Sequence, residues 1–413
     1  MGGKFCLEKK INHLKIITMN HIIWSTGHIL KFGNIVDSDN CFIYDSEGNR
    51  MVDLESGVWC TCLGHNNKRI NKVISDQINK ISHTGFCFIH PQIEGTARKV
   101  LDINNLQGGK CEFICSGSEA VEYGMRIART LTTKPLALTF ADSYLGAYGD
   151  ASAKSADKWF IYDRLNCSCN HSGSGCVGDC EEFNRIPFRE IGIFLLEPGS
   201  SSGLVRFPDA RLIKKISTKV QESGGIVMSN EITTGIGRTG KWLGYQHYNI
   251  QPDIVAMGKG LGNGYPVSVT AVSKNIADQL KHKGFHYSQS HQNDPLGAFV
   301  AAEVIDIIAE GALCDEAREK GYYLFGKLTE MQEEFPLIRE VRGRGLMLAV
   351  EFTRDASRIY EALLTAGFIV ALRPNTEVLR LDPALTIEKE TLDLFLVALR
   401  DVLVNLAPNK PDH

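Results

Sequence analysis

The stretch DIVAMGKGLGNGYP, residues 253–266, places a single lysine among glycines directly after an apolar run. The run DIVAM is typical of a buried strand, and Lys259 follows it between Gly258 and Gly260. Burying an ammonium group is unfavourable, and glycine destabilises the interior of strands and helices. One interpretation is a solvated surface turn, in which glycine and charge are common. The other is a lysine held at a strand end for chemistry, and the rest of the chain has to decide between them.

Short apolar runs alternate with longer amphipathic stretches on both sides of this lysine. The predicted strands are residues 111–115, 136–140, 191–198, 224–231, 253–258 and 267–272, and helical patterns lie at 118–132 and 208–223. This alternation predicts an α/β fold whose mostly parallel sheet is covered by helices on both faces. Ligands of such sheets bind at the carboxyl ends of the strands. The bend at 116–118, Asn230 and Lys259 all follow predicted strands.

The length of 413 residues predicts about two domains. After about Asn293 the pattern changes to long helices followed by a shorter mixture of strands and helices. We therefore predict an N-terminal arm over residues 1–60, a large domain over 61–295 and a small α+β domain over 296–413. The arm contains a hairpin pattern and is expected to pack on the small domain.

Charge and hydropathy exclude several classes of partner. With 45 basic and 48 acidic residues the net charge is -3, which gives no electrostatic case for nucleic acid or an anionic membrane. The sequence contains no run of about 18 apolar residues, so no membrane span is predicted. The N-terminus lacks the apolar core of a signal peptide. Cys6 stands where a myristoylation signal needs Ser or Thr. The 12 cysteines are then expected to be reduced thiols in a cytoplasmic protein.

Two motifs follow predicted strands in the first half of the chain. In CSGSEAVEYGMRIAR, residues 115–129, a turn at 116–118 leads into a helix with Glu119 in its first turn. Free N–H groups at such a helix start bind phosphate, although an ordinary serine N-cap uses the same residues. Tyr144 follows the next strand beside Gly146. Its ring could stack on a planar ligand or pack in the core.

Five segments together resemble the class III pyridoxal-phosphate-dependent aminotransferases, which belong to the fold-type I group. They are SGSEAVEYGMRIAR (116–129), EPGSSSG (197–203), NEITTGIGRTGKW (230–242), PDIVAMGKGLGNGYPVS (252–268) and RGRGLMLAVEF (342–352). The resemblance extends from about residue 25 to about 405 and is most specific between 224 and 266. The segment FADSYLGAYGDA, 140–151, is most similar to the glutamate-1-semialdehyde aminomutase branch.

The resemblance implies a fold-type I transferase with a seven-stranded type of sheet and pyridoxal 5'-phosphate as cofactor. It implies that Lys259 forms a Schiff base with the cofactor aldehyde and then moves the substrate proton. The glycines beside it would give the amine room to swing. The residues implied to hold the phosphate and the two faces of the ring are Ser116, Gly117, Ser118, Tyr144 and Ile232.

The same resemblance implies residues for the substrate. Glu197 is expected near the substrate or the cofactor edge, and Arg380 in VLRLDPAL matches an arginine that receives a substrate carboxylate. A guanidinium meets a carboxylate in a bidentate manner, although a surface salt bridge is the simpler use of such an arginine. Trp59 lies in a segment that borders the substrate pocket in relatives, or it belongs to the core.

Several positions depart from the family pattern. Asn230 stands where the family has an aspartate that keeps the pyridine nitrogen protonated, so we expect weaker electron withdrawal and a slower proton shift. Ser290, or Gln289 in another alignment, takes the place of a threonine that reaches the phosphate across the dimer interface. Thr233 replaces a glutamine near the ring hydroxyl, and Leu145 replaces a histidine.

The insertion NCSCNHSGSGCVGDC, residues 166–180, contains four cysteines and His171. Thiolates in such numbers fit tetrahedral zinc, but this spacing is not a standard zinc spacing. A thiol-rich loop near the active-site entrance is the alternative, so the sequence assigns no metal. The candidate ligands are Cys167, Cys169, Cys176 and Cys180.

The leading predicted reaction is transamination of an amino acid or ω-amino acid onto a 2-oxo acid, by a homodimer with active sites at the subunit boundary. The alternative is an amino-acid racemase, epimerase or aminomutase on the same scaffold, which Asn230 favours. A catalytically weak relative kept as a binding protein is a third hypothesis, and the retained Lys259 speaks against it.

Overall fold

The computed structural model describes residues 21–28, 30–169 and 175–406. The strands are β1 (Ile35–Asp39), β2 (Phe42–Asp45), β3 (Arg50–Asp53), β4 (Lys110–Ile114), β5 (Leu136–Phe140), β6 (Trp159–Tyr162), β7 (Ile191–Leu196), β8 (Ile226–Asn230), β9 (Ile254–Met257), β10 (Ser268–Val272), β11 (Ile338–Arg344), β12 (Met347–Phe352), β13 (Phe368–Ile369), β14 (Ala371–Leu372) and β15 (Val378–Leu381).

The helical segments begin with a four-residue turn, α1. In chain order they are α1 (Ser56–Trp59), α2 (Lys68–Ile78), α3 (Ile93–Ile103), α4 (Gly117–Leu131), α5 (Asp150–Ala153), α6 (Glu181–Asn184), α7 (Ala210–Glu222), α8 (Lys274–Lys283), α9 (Pro295–Glu310), α10 (Leu313–Glu334), α11 (Ala356–Thr365) and α12 (Lys389–Leu406). Short 3-10 helices cover Gly244–His247 and Lys259–Gly262.

A seven-stranded sheet forms the centre of the molecule, in the order β4-β10-β9-β8-β7-β5-β6. Strand β10 is antiparallel to both of its neighbours, and every other adjacent pair is parallel. Every residue of β7, β8 and β9 is buried, as expected for strands covered on both faces. The six predicted strands all lie in this sheet, so the predicted α/β fold is confirmed. The edge strand β6 was not predicted.

The predicted helices at 118–132 and 208–223 are α4 and α7. The α4 helix begins where the Ser116 hydroxyl accepts a hydrogen bond from the Glu119 N–H, and α7 begins where the Asp209 side chain accepts one from the Arg211 N–H. These caps satisfy N–H groups that a helix start would otherwise leave free. Each helix packs one apolar face on the sheet, in contact with β9 and β10 or with β7 and β8.

Two smaller sheets lie beside the central one, in the orders β1-β2-β3-β13 and β11-β12-β15-β14. Strand β13 runs parallel to β3, with Phe368 opposite Val52 and Ile369 opposite Asp53. The N-terminal hairpin is therefore hydrogen bonded to the C-terminal part of the chain. We propose the division into residues 1–60, 61–295 and 296–413, and this pairing supports an arm that packs on the small domain.

The carboxyl ends of the parallel strands open on one edge of the central sheet. After β4 comes the bend at 116–118, after β5 Tyr144, after β7 Glu197, and after β9 Lys259, while Asn230 is the last residue of β8. Parallel alignment brings these ends together. In the described parts of the chain, no helix is both long and apolar enough to cross a membrane.

Candidate active site

Lys259 is the first residue of a 3-10 helix that follows β9, and its φ is 45°. A positive φ at a residue other than glycine is uncommon and is found most often at functional sites. The side chain is half-buried, and burial lowers the pKa of its amine below the usual value of 10.5. Within the described residues its Nζ has no hydrogen bond or ion pair, and it lies 4.8 Å from the centroid of the Trp59 ring. The lowered pKa makes the neutral amine available at a lower pH than in an exposed lysine.

The turn that carries the lysine is fixed to a segment just after α1. The Cys62 thiol lies 3.1 Å from the Gly260 carbonyl oxygen. Asn263 accepts a hydrogen bond from the Leu63 N–H at 2.8 Å and donates one to the Gly64 carbonyl at 3.1 Å. A side chain at Gly260 would contact Cys62, which explains the close approach of the two segments. The glycines therefore serve packing as well as freedom of the amine.

Trp59 is the last residue of α1, a turn whose four residues all have positive φ, from 47° to 64°. Left-handed backbone is unfavourable for residues with a Cβ, so packing has to hold the turn in place. The buried indole packs against Val205, Met347 and Val378. On its face the Arg380 guanidinium carbon lies 3.5 Å from the ring centroid. Trp59 thus contacts both Lys259 and Arg380 and packs in the core, while its position at the substrate pocket stays a prediction.

Arg380 lies on β15 and pairs through Nε with the carboxylate of Asp382. Asp382 is fully buried, and burial raises its pKa to about 6, against the opposing effect of Arg380 and Arg238. Its second oxygen, Oδ1, has no hydrogen-bond partner among the described residues. This pair is buried rather than on the surface, so the surface salt bridge weighed for Arg380 does not describe it. The guanidinium is held in a fixed position on the Trp59 ring.

Asn230 connects the ends of two strands. Its Nδ2 donates to the Tyr144 carbonyl at 3.2 Å, and its Oδ1 accepts from the Ile232 N–H at 3.2 Å. An amide makes both bonds, whereas a carboxylate here would face the Tyr144 carbonyl oxygen without a proton between them. The Tyr144 ring side chain is about half exposed, at 48%. Asparagine at 230 therefore suits the positions of both neighbours.

Glu197 is fully buried beside the loop of residues 141–149, which connects β5 to α5 and is called the Tyr144 loop. Its oxygens accept from the Tyr144 N–H at 3.0 Å and from the Ser201 N–H at 3.2 Å, and the Ser201 hydroxyl also donates to it. Burial raises the pKa of Glu197 to about 7, although these hydrogen bonds favour the charged form. The carboxyl group thus positions the loop and titrates near neutrality.

The bend at 116–118 approaches Ile232 closely. A Cβ at Gly117 would lie 2.8 Å from Ile232 Cγ2, so glycine permits this close approach. The Ser118 hydroxyl accepts from the Ala147 N–H at 2.9 Å, which ties the bend to the Tyr144 loop. The Ser116 hydroxyl caps α4. The N-cap that the sequence offered as the alternative is therefore confirmed.

Ser290 and Thr233 are two of the positions that depart from the family pattern. Ser290 lies in an exposed turn between α8 and α9, where its role depends on a second subunit and stays a prediction. Thr233 is buried, and its hydroxyl has no hydrogen-bond partner among the described residues. A buried hydroxyl without a partner is unusual, because buried polar groups are normally hydrogen bonded.

The four predicted thiols come together away from Lys259, beside β6. The sulfurs of Cys167, Cys169, Cys176 and Cys180 all lie within 4.8 Å of one another. His171 falls outside the described residues.

Sequence reasoning missed several charged residues that hold the site. Glu231 is fully buried after β8, and Asp382 supports Arg380. Arg164 forms an ion pair of 2.6 Å with Asp142, and both side chains are about 95% buried. For Glu231 a signal existed, since a carboxylate between Asn230 and Ile232 cannot be buried without partners. No local pattern marks the others, because their partners are distant in sequence.

A cleft of about 630 Å3 is separate from this constellation. It is lined by the outer face of α4 with Glu119, Arg126 and Tyr148, and Lys259 is not among the residues that line it. The reactive amine lies elsewhere, so this cleft is not the proposed active site.

Comparison with known proteins identifies a family for nearly the whole chain. The family model described as Aminotransferase class-III matches residues 25–403. A leucine/methionine racemase of Thermococcus litoralis is 29% identical and covers 87% of both chains. An acetylornithine aminotransferase of Streptococcus mutans is 29% identical over 89% of this chain and 95% of its own. A Bacillus anthracis aminotransferase structure matches with a TM-score of 0.83 at 22% identity, over 90% of this chain and 93% of its own.

Proposed function

Because the chain belongs to the class III aminotransferase family and depends on pyridoxal phosphate, we propose that it moves an amino group between an amino acid or ω-amino acid and a 2-oxo acid, with Lys259 as the residue that binds the cofactor covalently. The observation that carries the proposal is the half-buried amine of Lys259, which has a lowered pKa and no hydrogen bond within the described residues. When bound, the cofactor supplies an aldehyde for the amino group and a ring that accepts electrons from the substrate α carbon.

The residues around the lysine fit this cofactor. The first N–H groups of α4 suit its phosphate, since a helix start binds anions. The half-exposed Tyr144 ring and the Ile232 side chain, which packs against Gly117, suit the two faces of a flat ring. The hydroxyl of Thr233, buried without a partner, suits a polar atom on the ring. We propose the phosphate site at Ser116, Gly117 and Ser118, with Ser290 of the partner subunit completing it.

Lys259 also suits the transfer of a proton. Burial disfavours the charged form of its amine, so the neutral base is more populated near neutral pH than for an exposed lysine. The positive φ at this residue and its contact with Trp59 hold the side chain on one side of the site. We propose that Nζ takes the proton from the substrate α carbon and returns it one position away.

Arg380 suits the carboxylate of the substrate. The pairing of its Nε with Asp382 and its stacking on Trp59 fix the plane of the guanidinium. A guanidinium group held in a fixed plane binds a carboxylate through two parallel hydrogen bonds. Glu197 positions the Tyr144 loop, and we propose that it lies near the substrate as well.

A second candidate function is racemisation or epimerisation of an amino acid on the same scaffold. Asn230 favours it, because an uncharged amide cannot hold a proton on a ring nitrogen and so gives weaker electron withdrawal. The racemase of Thermococcus litoralis shows that relatives with this activity exist at 29% identity. The aminomutase alternative stays a prediction.

Reduction with borohydride tests the proposal most directly. Full-length protein loaded with pyridoxal phosphate is reduced, digested and mapped, and we expect the cofactor on Lys259. The Lys259→Ala variant should lose the label, while the control Lys274→Ala, at an exposed lysine paired with Asp278, should keep it. Reduced cofactor on another lysine, or on no lysine, would contradict the assignment of Lys259 as the attachment site.

Amino-acid incubation then separates the two functions. A single enantiomer is incubated with the loaded enzyme, with and without a 2-oxo acid. Transamination requires the 2-oxo acid for turnover, whereas racemisation gives the opposite enantiomer without it. Appearance of the opposite enantiomer at the same rate in both arms would favour the second function.

We also propose a cytoplasmic homodimer. The segment before α3 exposes Phe86, Phe88 and Ile89, each with more than 60% of its surface accessible, which supports a contact with a second subunit. All the described cysteines are free thiols, which supports a reducing compartment.

A further inference from the structure

We propose that Cys167, Cys169, Cys176 and Cys180 bind one zinc ion as a structural site beside β6. Nothing in the proposed reaction uses these residues, and none of them contacts Lys259. The proposal rests on the arrangement of the four sulfurs, on the groups around them and on what the site holds in place.

The four sulfurs lie close enough together to bind one ion. Cys167 lies 3.0 Å from Cys180 and 3.3 Å from Cys169, while Cys176 lies 3.5 Å from Cys169 and 3.7 Å from Cys180. Four thiolates around zinc at about 2.3 Å stand about 3.8 Å apart. All four are free cysteines rather than disulfides. A group within 4.8 Å leaves room for a single ion, not for a cluster of several irons.

The surroundings provide hydrogen bonds to sulfur. The Gly178 N–H donates to Cys176 at 3.2 Å, and the Phe183 N–H donates to Cys180 at 3.4 Å. The hydroxyl of Tyr162, at the end of β6, lies 3.0 Å from the Cys176 sulfur. Donors of this kind stabilise thiolates and orient them around a metal. Two backbone N–H groups thus donate to these sulfurs, and the Tyr162 hydroxyl is placed to do the same.

Three of the four cysteines are buried in the apolar core. Cys167, Cys176 and Cys180 are each less than 9% exposed and belong to the same apolar cluster as Phe140 and Phe183. Structural zinc sites are closed in this way, with four protein ligands and no open position for substrate. The burial and the mutual approach of the four thiols distinguish this group from an exposed thiol-rich loop.

The site connects to the active-site wall through one ion pair. Arg164 follows β6 by two residues, and its guanidinium pairs with Asp142 at 2.6 Å with both groups buried. Asp142 precedes Tyr144 by two residues. A metal that fixes the chain after Tyr162 therefore also fixes Arg164, and through it the start of the Tyr144 loop. The zinc is structural and positions this loop from outside the pocket.

Metal analysis of the full-length protein is the first test. The protein is purified without chelators and without a nickel column, and its metals are measured by mass spectrometry. We expect about one zinc per chain. Less than about 0.2 zinc per chain would overturn the proposal, and so would stoichiometric iron, or an intact mass that shows disulfides among these four cysteines.

Variants assign the zinc to these residues. Cys167→Ser and Cys176→Ser should each lose most of the metal, whereas Cys87→Ser and Cys314→Ser, outside the group, should retain it. Retention of full zinc by the first pair would contradict the assignment. If that pair fails to fold, wild-type protein is titrated with a mercurial reagent while released zinc is measured with a coloured chelator. Zinc should then be released in step with these buried thiols, and release that follows only the exposed Cys87 would overturn the site.

Cobalt replacement provides a readout independent of activity. Protein refolded or expressed with Co2+ should show the intense thiolate-to-cobalt absorption of a tetrahedral sulfur site. Cys167→Ser should lose that absorption, and Cys314→Ser should keep it. A cobalt spectrum without thiolate bands would exclude these ligands.

Discussion

The chemistry of this enzyme depends first on the surroundings of single side chains. Lys259 has a positive φ, an aromatic ring on one side and no hydrogen bond within the described residues. Asn230 makes two hydrogen bonds that an amide satisfies and a carboxylate does not. Burial favours the neutral form of the Lys259 amine, and the asparagine leaves an uncharged group beside the proposed ring.

The lowered pKa of Lys259 predicts a pH dependence. Because burial disfavours the charged amine, its proton is lost below the usual pKa of 10.5, so the reactive neutral form is reached at lower pH. We expect the rate of borohydride-trapped attachment of pyridoxal phosphate to the apoprotein to reach its midpoint well below pH 10.5. The control is the chain unfolded in urea, and equal midpoints for the two states would contradict the expectation.

The substitution Asn230→Asp tests the effect of charge at this position. A carboxylate should strengthen electron withdrawal, and we expect the half-reaction with an amino donor to become about tenfold faster, or about 1.4 kcal/mol in the barrier. It should also destabilise the fold by about 1–3 kcal/mol, because the Tyr144 carbonyl loses its donor. Stopped-flow absorbance and urea unfolding measure the two effects. Asn230→Ala is the control, and an equal acceleration in both variants would exclude charge as the cause.

At the scale of elements, the regular parts of the fold follow from sequence and the irregular parts do not. The strands β5, β7, β8, β9 and β10 were predicted because each is an apolar run bounded by turn residues. The four-residue β6 was missed, since WFIY is too short to be distinguished from a buried turn. The left-handed turn α1 was also missed, because it depends on packing of Trp59 against residues about 150 and 290 positions away. Propensity describes local preferences, whereas these two elements depend on tertiary contacts.

Glu231 organises the turn that follows β8. It accepts hydrogen bonds from the Ser229 and Thr234 hydroxyls and from the N–H groups of Gly244 and Tyr245, at 2.7 to 2.9 Å. In Glu231→Gln one oxygen becomes an NH2 group that faces donors. We expect a loss of about 1–3 kcal/mol in the free energy of unfolding.

Urea unfolding followed by circular dichroism measures this loss. Glu222→Gln, at an exposed residue of α7, is the matched control and should change stability by less than about 0.5 kcal/mol. Equal stability of Glu231→Gln and the wild type would show that the turn does not depend on the buried carboxylate.

At the scale of the whole molecule, the site gathers residues from three distant parts of the chain. Trp59 comes from α1, Lys259 from the 3-10 helix after β9, and Arg380 from β15. The sequence predicted Lys259 and Arg380 through family motifs and only suggested Trp59. It could not predict that one indole contacts both cations, because no local pattern encodes a contact across 200 residues. Asp382 and the Arg164–Asp142 pair were missed for the same reason.

The proposed dimer also belongs to this scale. The substitution Phe88→Ser removes an exposed apolar side chain from the segment before α3, and we expect it to weaken self-association at least about tenfold, or 1.4 kcal/mol. Analytical ultracentrifugation over a range of concentrations measures the change. Val404→Ser, at an exposed valine on α12, is the control. Unchanged association of Phe88→Ser would exclude this segment from the interface.

The contacts of Trp59 with Lys259 and Arg380 have an optical consequence. Of the four tryptophans, Trp24, Trp159 and Trp242 lie away from this pair of charges. The emission colour of an indole depends on the electric field across its ring. A chain that keeps only Trp59 would therefore carry a fluorophore whose spectrum shifts when Lys259 gains or loses its proton, so the protonation of the proposed catalytic amine could be followed by light before any substrate is added.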